Sequence, residues 1–272
     1  MAPTMNSDEV QPSVVIEIVD RIGHIRLNEP SNRNALSDSI KKGLLDALSS
    51  FAVDPEVRAV LITAAGRDFM VGADLKLFRR QLIEDRPGHL AGFEQRVRAT
   101  NRIFNLLREM EKPVLIAVQG ATVGFGLCLV AAADLCIAAD DAFFILAYRH
   151  IGLAPDGAIT YQLPRIVGER KALEIALLGD RFDASVARDL GLVNWVAERD
   201  SLEGRAWDVA RRLASGPALA LSRAKQLIRG SLDRGWDEQL SAEVSAVSEC
   251  AASADHSEGL DAFVEKRAPV FR

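Results

Sequence analysis

The hydrophobic and polar positions of this chain follow two periods. Val14 to Val19 and Gly23 to Leu27 are apolar-rich runs joined at Asp20-Arg21-Ile22-Gly23, a pattern that predicts two strands and a tight connection. Ser37 then stands as a cap before Ile40, Leu44, Leu45 and Leu48, which fall on one helical face. Ala59 to Thr63 predicts a short buried strand, followed by a loop at Ala64 to Gly72 and a polar segment near Asp74 to Phe78. Residues 91–111 predict an amphipathic helix stopped by Pro113. Val114 to Val118 reads as a buried strand, and a glycine-punctuated loop and an apolar helix follow it. Leu135 to Ala138 and Ala142 to Leu146 are further strand candidates.

From about residue 169 the period is helical, with candidates at 169–178, 184–190, 201–215, 218–229, 237–253 and 257–266. Strands alternating with helices imply right-handed crossovers and a mostly parallel sheet, so the predicted class is α/β. The expected organisation is a loose tail at 1–13, a core at 14–200 and a helical region at 201–272.

Composition narrows the function. The 272 residues are 49% hydrophobic and 26% charged, ordinary for a globular protein with a large core. A net charge of −5 predicts no nucleic-acid partner. His24, His89, His150 and His256 form no ligand motif with Cys128, Cys136 and Cys250, so no metal site is expected. The odd set of cysteines fits reduced thiols. The polar, acidic N-terminus has no apolar signal core, and no apolar run is long enough to span a membrane. These features predict a cytoplasmic protein without a membrane partner.

Two glycine turns carry the candidate chemistry. Gly124-Phe125-Gly126 links a strand to an apolar helix, which leaves N–H groups free at a helix N-terminus. Phe69-Met70-Val71-Gly72-Ala73-Asp74-Leu75 follows the Ala59 strand, and Gly72 permits a tight turn that frees the N–H of Ala73. Taken alone, the second turn also reads as an ordinary loop with Asp74 as a helix cap. Paired, the two turns suggest Ala73 and Phe125 as backbone donors to a developing oxyanion. A dinucleotide site is disfavoured, because Leu129 stands where a third glycine or alanine is required.

The chain resembles the crotonase, or enoyl-CoA hydratase/isomerase, superfamily. The matching segments include Leu27-Asn28-Glu29-Pro30, Arg33-Asn34-Ala35-Leu36, Gly72-Ala73-Asp74-Leu75, Lys112-Pro113-Val114, Gln119-Gly120, Gly124-x-Gly126 and Asp134-Leu135. Further matches are Ile151-Gly152-Leu153-x-Pro155, Leu163-Pro164-Arg165-Ile166-Val167-Gly168, Gly191-Leu192-Val193 and Phe263-x-Glu265-Lys266-Arg267-x-Pro269. The ordered set spans residues 14 to 272.

The resemblance implies a crotonase-like spiral of ββα units with a C-terminal helical trimerisation region, and a homotrimer or homohexamer. It implies an acyl-CoA thioester as partner and substrate, with no cofactor beyond the coenzyme A of that substrate. It places the oxyanion donors at Ala73 and Phe125, and CoA near Arg33, Ala35, Val71, Asp74 and Leu75. Phe263 and Lys266 match positions that touch the nucleotide of a neighbouring subunit.

At the positions of the two hydratase glutamates this chain carries Cys128 and Tyr148. Their reference pKa values of roughly 8.5 and 10 suit them poorly to activating water and protonating carbon. One carboxylate remains, Asp156 in Ala154-Pro155-Asp156-Gly157-Ala158. Pro-Asp-Gly is also a turn signal, and spacing alone permits Asp156 to cap a helix at 157–163. The resemblance favours a catalytic role, because aspartate-using isomerases of the ring-oxepin type carry a similar Pro-Asp turn.

The expected reaction is double-bond isomerisation by a lone carboxylate, in an acyl pocket walled by Phe125, Cys128, Phe144, Leu146 and Tyr148. The alternatives are a hydratase or lyase with atypical groups, a non-catalytic acyl-CoA-binding subunit, and a dehalogenase-like aspartate nucleophile. The last needs a histidine, and its helix offers Asn101 and Asn105 with only His89 nearby in sequence.

Overall fold

The two N-terminal runs form an antiparallel pair, β1 (Val14–Val19) and β2 (Ile22–Leu27), in register from Val14–Leu27 to Val19–Ile22. They turn over Asp20 and Arg21, both at positive φ, as a two-residue hairpin compatible with strand twist requires. The computed structural model describes residues 11–272, so residues 1–10 of the expected tail lie outside the described residues.

Ser37 caps α1 (Asp38–Val53) by accepting the Ile40 N–H, and Ile40, Leu44 and Leu48 are buried on its inner face. The chain returns through β3 (Ala59–Ala64), then runs through α2 (Leu75–Glu84) and α3 (Arg86–Glu109). Residues 74–78, expected as a polar segment, are the cap and first turn of α2: Asp74 accepts the Leu77 N–H. The helix expected at 91–111 starts five residues earlier because Asp85 caps it through Gly88 N–H and a proline stands in its first turn.

Two ββα units follow. The first is β4 (Val114–Val118), β5 (Ala121–Val123) and α4 (Phe125–Ala132). The second is β6 (Leu135–Ala139), β7 (Phe143–Ile145) and α5 (Ile159–Val167). Next come α6 (Glu169–Leu178), β8 (Phe182–Asp183), α7 (Ala184–Asp189) and β9 (Trp195–Ala197). Each unit gives its first strand to one six-stranded sheet, ordered β1-β2-β3-β4-β6-β9, and its second to a small sheet ordered β5-β7-β8. Beyond β1 the large sheet is parallel. The strands β5, β8 and β9 escape the sequence pattern because they are two or three residues long, too short to show a period.

The central strands read as continuous apolar runs because both faces of the sheet are covered. Val60, Ile62, Val114 and Ile116 point into the main core with α1, α3 and α4, whereas Ala59, Leu61, Leu115 and Ile137 point into a second core. That second core is closed by α8 (Leu202–Ala214), whose Ala206, Ala210 and Ala214 recur every four residues and let the helix lie close on the sheet. The remaining helices are α9 (Ala218–Gly230), α10 (Trp236–Ala251) and α11 (Ala254–Glu265). Among the described residues no helix is long and apolar enough to cross a membrane.

Ala210 is fully buried against this face. Ala210→Leu should therefore overpack it and lower unfolding free energy by roughly 1–3 kcal/mol in urea titrations, with the transition remaining cooperative.

Candidate active site

The two glycine turns are brought together by a short piece of ladder. Met70 N–H donates to Ala121 O at 3.0 Å, Val123 N–H to Met70 O at 2.8 Å and Phe69 N–H to Gln119 O at 2.7 Å. Asp68, almost fully buried, clamps the junction: one carboxylate oxygen accepts the Ala121 N–H at 2.8 Å and the other the Arg33 Nε–H at 2.7 Å. Gly72 and Gly124 sit at φ +83° and +53°, in the left-handed region that favours glycine. A Cβ on Gly72 would come 3.1 Å from Val123 O, and one on Gly126 would lie 2.9 Å from Met70 O. The turns thus pack backbone to backbone.

Ala73 follows the first turn, and Phe125 opens α4 as its first helical residue. Among the described residues neither N–H has a hydrogen-bond partner. Both residues line a cavity of about 190 Å³. Its walls are mostly apolar: Leu36, Val71 and Leu75 on one side, Phe78, Phe93 and Val97 from α2 and α3, and Ile151 and Leu153 beyond. Asp156 and Tyr148 line the same cavity.

Asp156 does not cap the helix that follows it. Gly157 and Ala158 both take positive φ, and α5 begins at Ile159 with no side-chain cap. A Cβ on Gly157 would meet the Phe104 ring at 2.9 Å and Cys128 Cβ at 3.0 Å, so this loop is pressed against α3 and α4. The carboxylate instead accepts the Tyr148 hydroxyl at 2.5 Å.

The other expected residues divide. Val71 and Leu75 line the cavity. Ala35 is buried beside it and Leu36 takes the wall position, with Leu36 N–H bonded to Gly72 O at 2.7 Å. Arg33 is engaged with Asp68, and Asp74 caps α2. Phe263 is 84% exposed at the end of α11, and Lys266 closes that helix in the left-handed conformation; neither lines the cavity.

Of the residues expected to wall an acyl pocket, Phe125 and Tyr148 line this cavity, whereas Cys128, Phe144 and Leu146 do not line it. Phe144 points into the core and stacks on Phe182 at 5.5 Å, Leu146 is buried there too, and Cys128 lies behind Tyr148. Strand β7 is the middle strand of the small sheet, and its Phe144 and the following Leu146 are claimed by packing in the main core. Phe78, Phe93 and Val97 were missed because α2 and α3 show their amphipathic faces in sequence but not which cavity those faces meet.

His89 is buried, with Nδ1 3.0 Å from Gln81 Oε1, and does not line the cavity; Asn101 and Asn105 are exposed on α3. His150 does line it, but its Nε2–H is committed to Gly179 O at 3.0 Å. No cluster of metal-ligating side chains occurs among the described residues.

A spiral of ββα units whose glycine-turn residues Ala73 and Phe125 share a mostly apolar cavity with one carboxylate defines a protein of crotonase-like build, and comparison with known proteins gives the same class. The enoyl-CoA hydratase/isomerase family model matches residues 17–272. The 1,2-epoxyphenylacetyl-CoA isomerase of Escherichia coli K12 is 34% identical over 91% of this chain and 93% of its own. A 4-chlorobenzoyl coenzyme A dehalogenase of Arthrobacter is 32% identical over 86% and 82%. A crystallised enoyl-CoA hydratase/isomerase-family chain from Mycobacterium abscessus superposes with a TM-score of 0.91 at 38% identity, over 95% of this chain and 99% of that one. The chain belongs to the enoyl-CoA hydratase/isomerase family.

The clamp at Asp68 has a pH signature. Burial opposes ionisation of its carboxyl, but the Arg33 hydrogen bond, the Ala121 N–H and the nearby Arg33 and Arg67 charges outweigh it and hold the group below the usual carboxylate range. With the folded value below the unfolded one, the stabilisation is complete above about pH 4 and lost as pH falls through the depressed value. The stability gap between wild type and Asp68→Asn, measured by urea unfolding, should stay constant from about pH 7 to 5 and close below about pH 4.

Proposed function

We propose that this enzyme shifts a double bond in an unsaturated acyl-CoA, with Asp156 as the single acid/base and the Ala73 and Phe125 amides as the oxyanion hole. The observation that carries the reading is that Asp156 is the one carboxylate lining the cavity, among the described residues, and shares it with both free amides. Hydration needs a group to activate water and a second to protonate the α-carbon. Neither resident of the hydratase glutamate positions supplies it. Burial pushes the Cys128 thiol up to about 12, and burial together with the neighbouring Cys128 and Asp156 pushes the Tyr148 phenol up further, so both stay protonated at neutral pH.

In this reading the carboxylate of Asp156 removes a proton from carbon next to, or vinylogous with, the thioester carbonyl. The electron pair moves onto the carbonyl oxygen as a dienolate, which the two amides stabilise as charge develops. The dienolate collapses as the same carboxylic acid returns the proton to the other end of the system. No water is consumed, and a largely apolar cavity suits that outcome.

CoA would lie along the Arg33–Leu36 segment and the turn at Val71, Asp74 and Leu75, a placement supported by the Leu36–Gly72 hydrogen bond that ties the two together. Phe263 and Lys266 would reach the nucleotide of a second subunit in a homotrimer or homohexamer. Exposed apolar residues on the C-terminal helices, including Trp236, Val244, Val247 and Phe263, support assembly through that region. A cytoplasmic location fits three unpaired cysteines. The dehalogenase alternative is less supported, because His89 is buried and engaged away from the cavity and His150, which lines it, has its Nε2–H committed to Gly179 O.

Asp156→Asn should lower isomerase kcat and deuterium exchange at the α-carbon by roughly 10²- to 10⁴-fold, with acyl-CoA affinity retained. Exchange in D₂O across a panel of acyl-CoAs, followed by NMR, measures this. A variant with full turnover and normal binding would refute the assignment.

A further inference from the structure

Tyr148 has no task in the mechanism above, yet its hydroxyl makes a short contact to the reacting carboxylate. We propose that Tyr148 is the positioning residue for Asp156: its hydroxyl holds Oδ1, so that Oδ2 alone carries the proton within the acyl cavity. The inference rests on the reading of Asp156 as acid/base.

The hydroxyl has one hydrogen, and the 2.5 Å approach of Tyr148 Oη to Asp156 Oδ1 places it there, in the range of O–H donation to a carboxylate. Cys128 Sγ lies 3.5 Å from the same Oη and 3.6 Å from the Asp156 main-chain oxygen. The thiol is fully buried and protonated, so its hydrogen backs the phenol or the loop and does not compete for the carboxylate. Burial keeps the phenol itself protonated, a donor throughout the working range.

Both partners are held from behind. Tyr148 lies on the 3-10 turn Ala147–Ile151, and the next two residues pin that turn to the C-terminus of α6. Arg149 Nη1 donates to Leu177 O and Leu178 O at 2.6 and 2.9 Å, and His150 Nε2–H to Gly179 O. Asp156 is fixed by Gly157 wedged against Phe104 and Cys128. A donor and an acceptor anchored through separate elements form a preset contact that restrains rotation of the carboxylate. Such restraint matters when one oxygen must take a proton from one carbon and deliver it to another.

The test uses Tyr148→Phe, Asp156→Asn and the double variant. Loss of a hydrogen bond to a charged group predicts that Tyr148→Phe lowers kcat and α-proton exchange together by roughly ten- to a hundredfold while KM moves less than about threefold. In the Asp156→Asn background the same change should cost about nothing further. An independent readout does not need the phenylalanine variant to fold. The chain has two tyrosines, so 3-fluorotyrosine labelling gives two fluorine lines, and Tyr161→Phe assigns them. The Tyr148 line should shift in Asp156→Asn. A Tyr148→Phe enzyme with unchanged kcat, or a fluorine line indifferent to Asp156→Asn, would overturn the role of Tyr148 alone. Full exchange in Asp156→Asn would overturn the underlying reading, and this inference with it.

Discussion

The ladder between Phe69–Met70 and Ala121–Val123 is the constraint on which the site depends. Its hydrogen bonds hold two glycine turns, distant in sequence, at van der Waals contact. Asp68 locks the ladder by accepting one amide of β5 and one guanidinium of the Arg33 loop, and Asn34 adds a bond to Asp68 O at 2.9 Å. Gln119 ties the same junction to the end of β3 through Ala64 O at 2.7 Å. Without these contacts the Ala73 and Phe125 amides would be two unrelated loop N–H groups. With them, both residues border one cavity.

The rest of the fold serves that junction in layers. The large sheet supplies rigid strands whose alternate residues enter two separate cores, so neither face can slide without opening apolar surface. α3 and α4 then meet at Phe104 and Phe125, ring centroids 5.1 Å apart, directly behind the second amide. The Asp156 loop packs on that pair. The Phe125 turn and the Asp156 loop are therefore referenced to the same two helices.

The alternation of helices with the strands of the large sheet could be read from the chain because parallel strands covered on both faces leave continuous apolar runs, as in Val114–Val118 and Ala59–Ala64. The caps at Ser37 and the stop at Pro113 were legible for local reasons, since a hydroxyl reaches its own helix and proline disfavours helix in the residue before it. Elements of two or three residues, such as β5, were not legible, and β5 is the piece that closes the ladder. Asp156 shows the same limit from the other side. Pro-Asp-Gly permits a cap, but left-handed Gly157 and Ala158 displace the helix start and release the carboxylate to Tyr148.

By itself the sequence determined the fold class and the two glycine turns, because these depend on residue type and local spacing. Only the tertiary structure decided which apolar residues wall the cavity. Phe144 and Leu146 are as hydrophobic as Phe78 and Phe93, but the first two are buried in the main core while the other two, on α2 and α3, line the cavity. Hydrophobicity records a preference for burial without direction. The neighbouring element sets whether a side chain meets the core or the cavity, and the chain order of residues holds no measure of that distance.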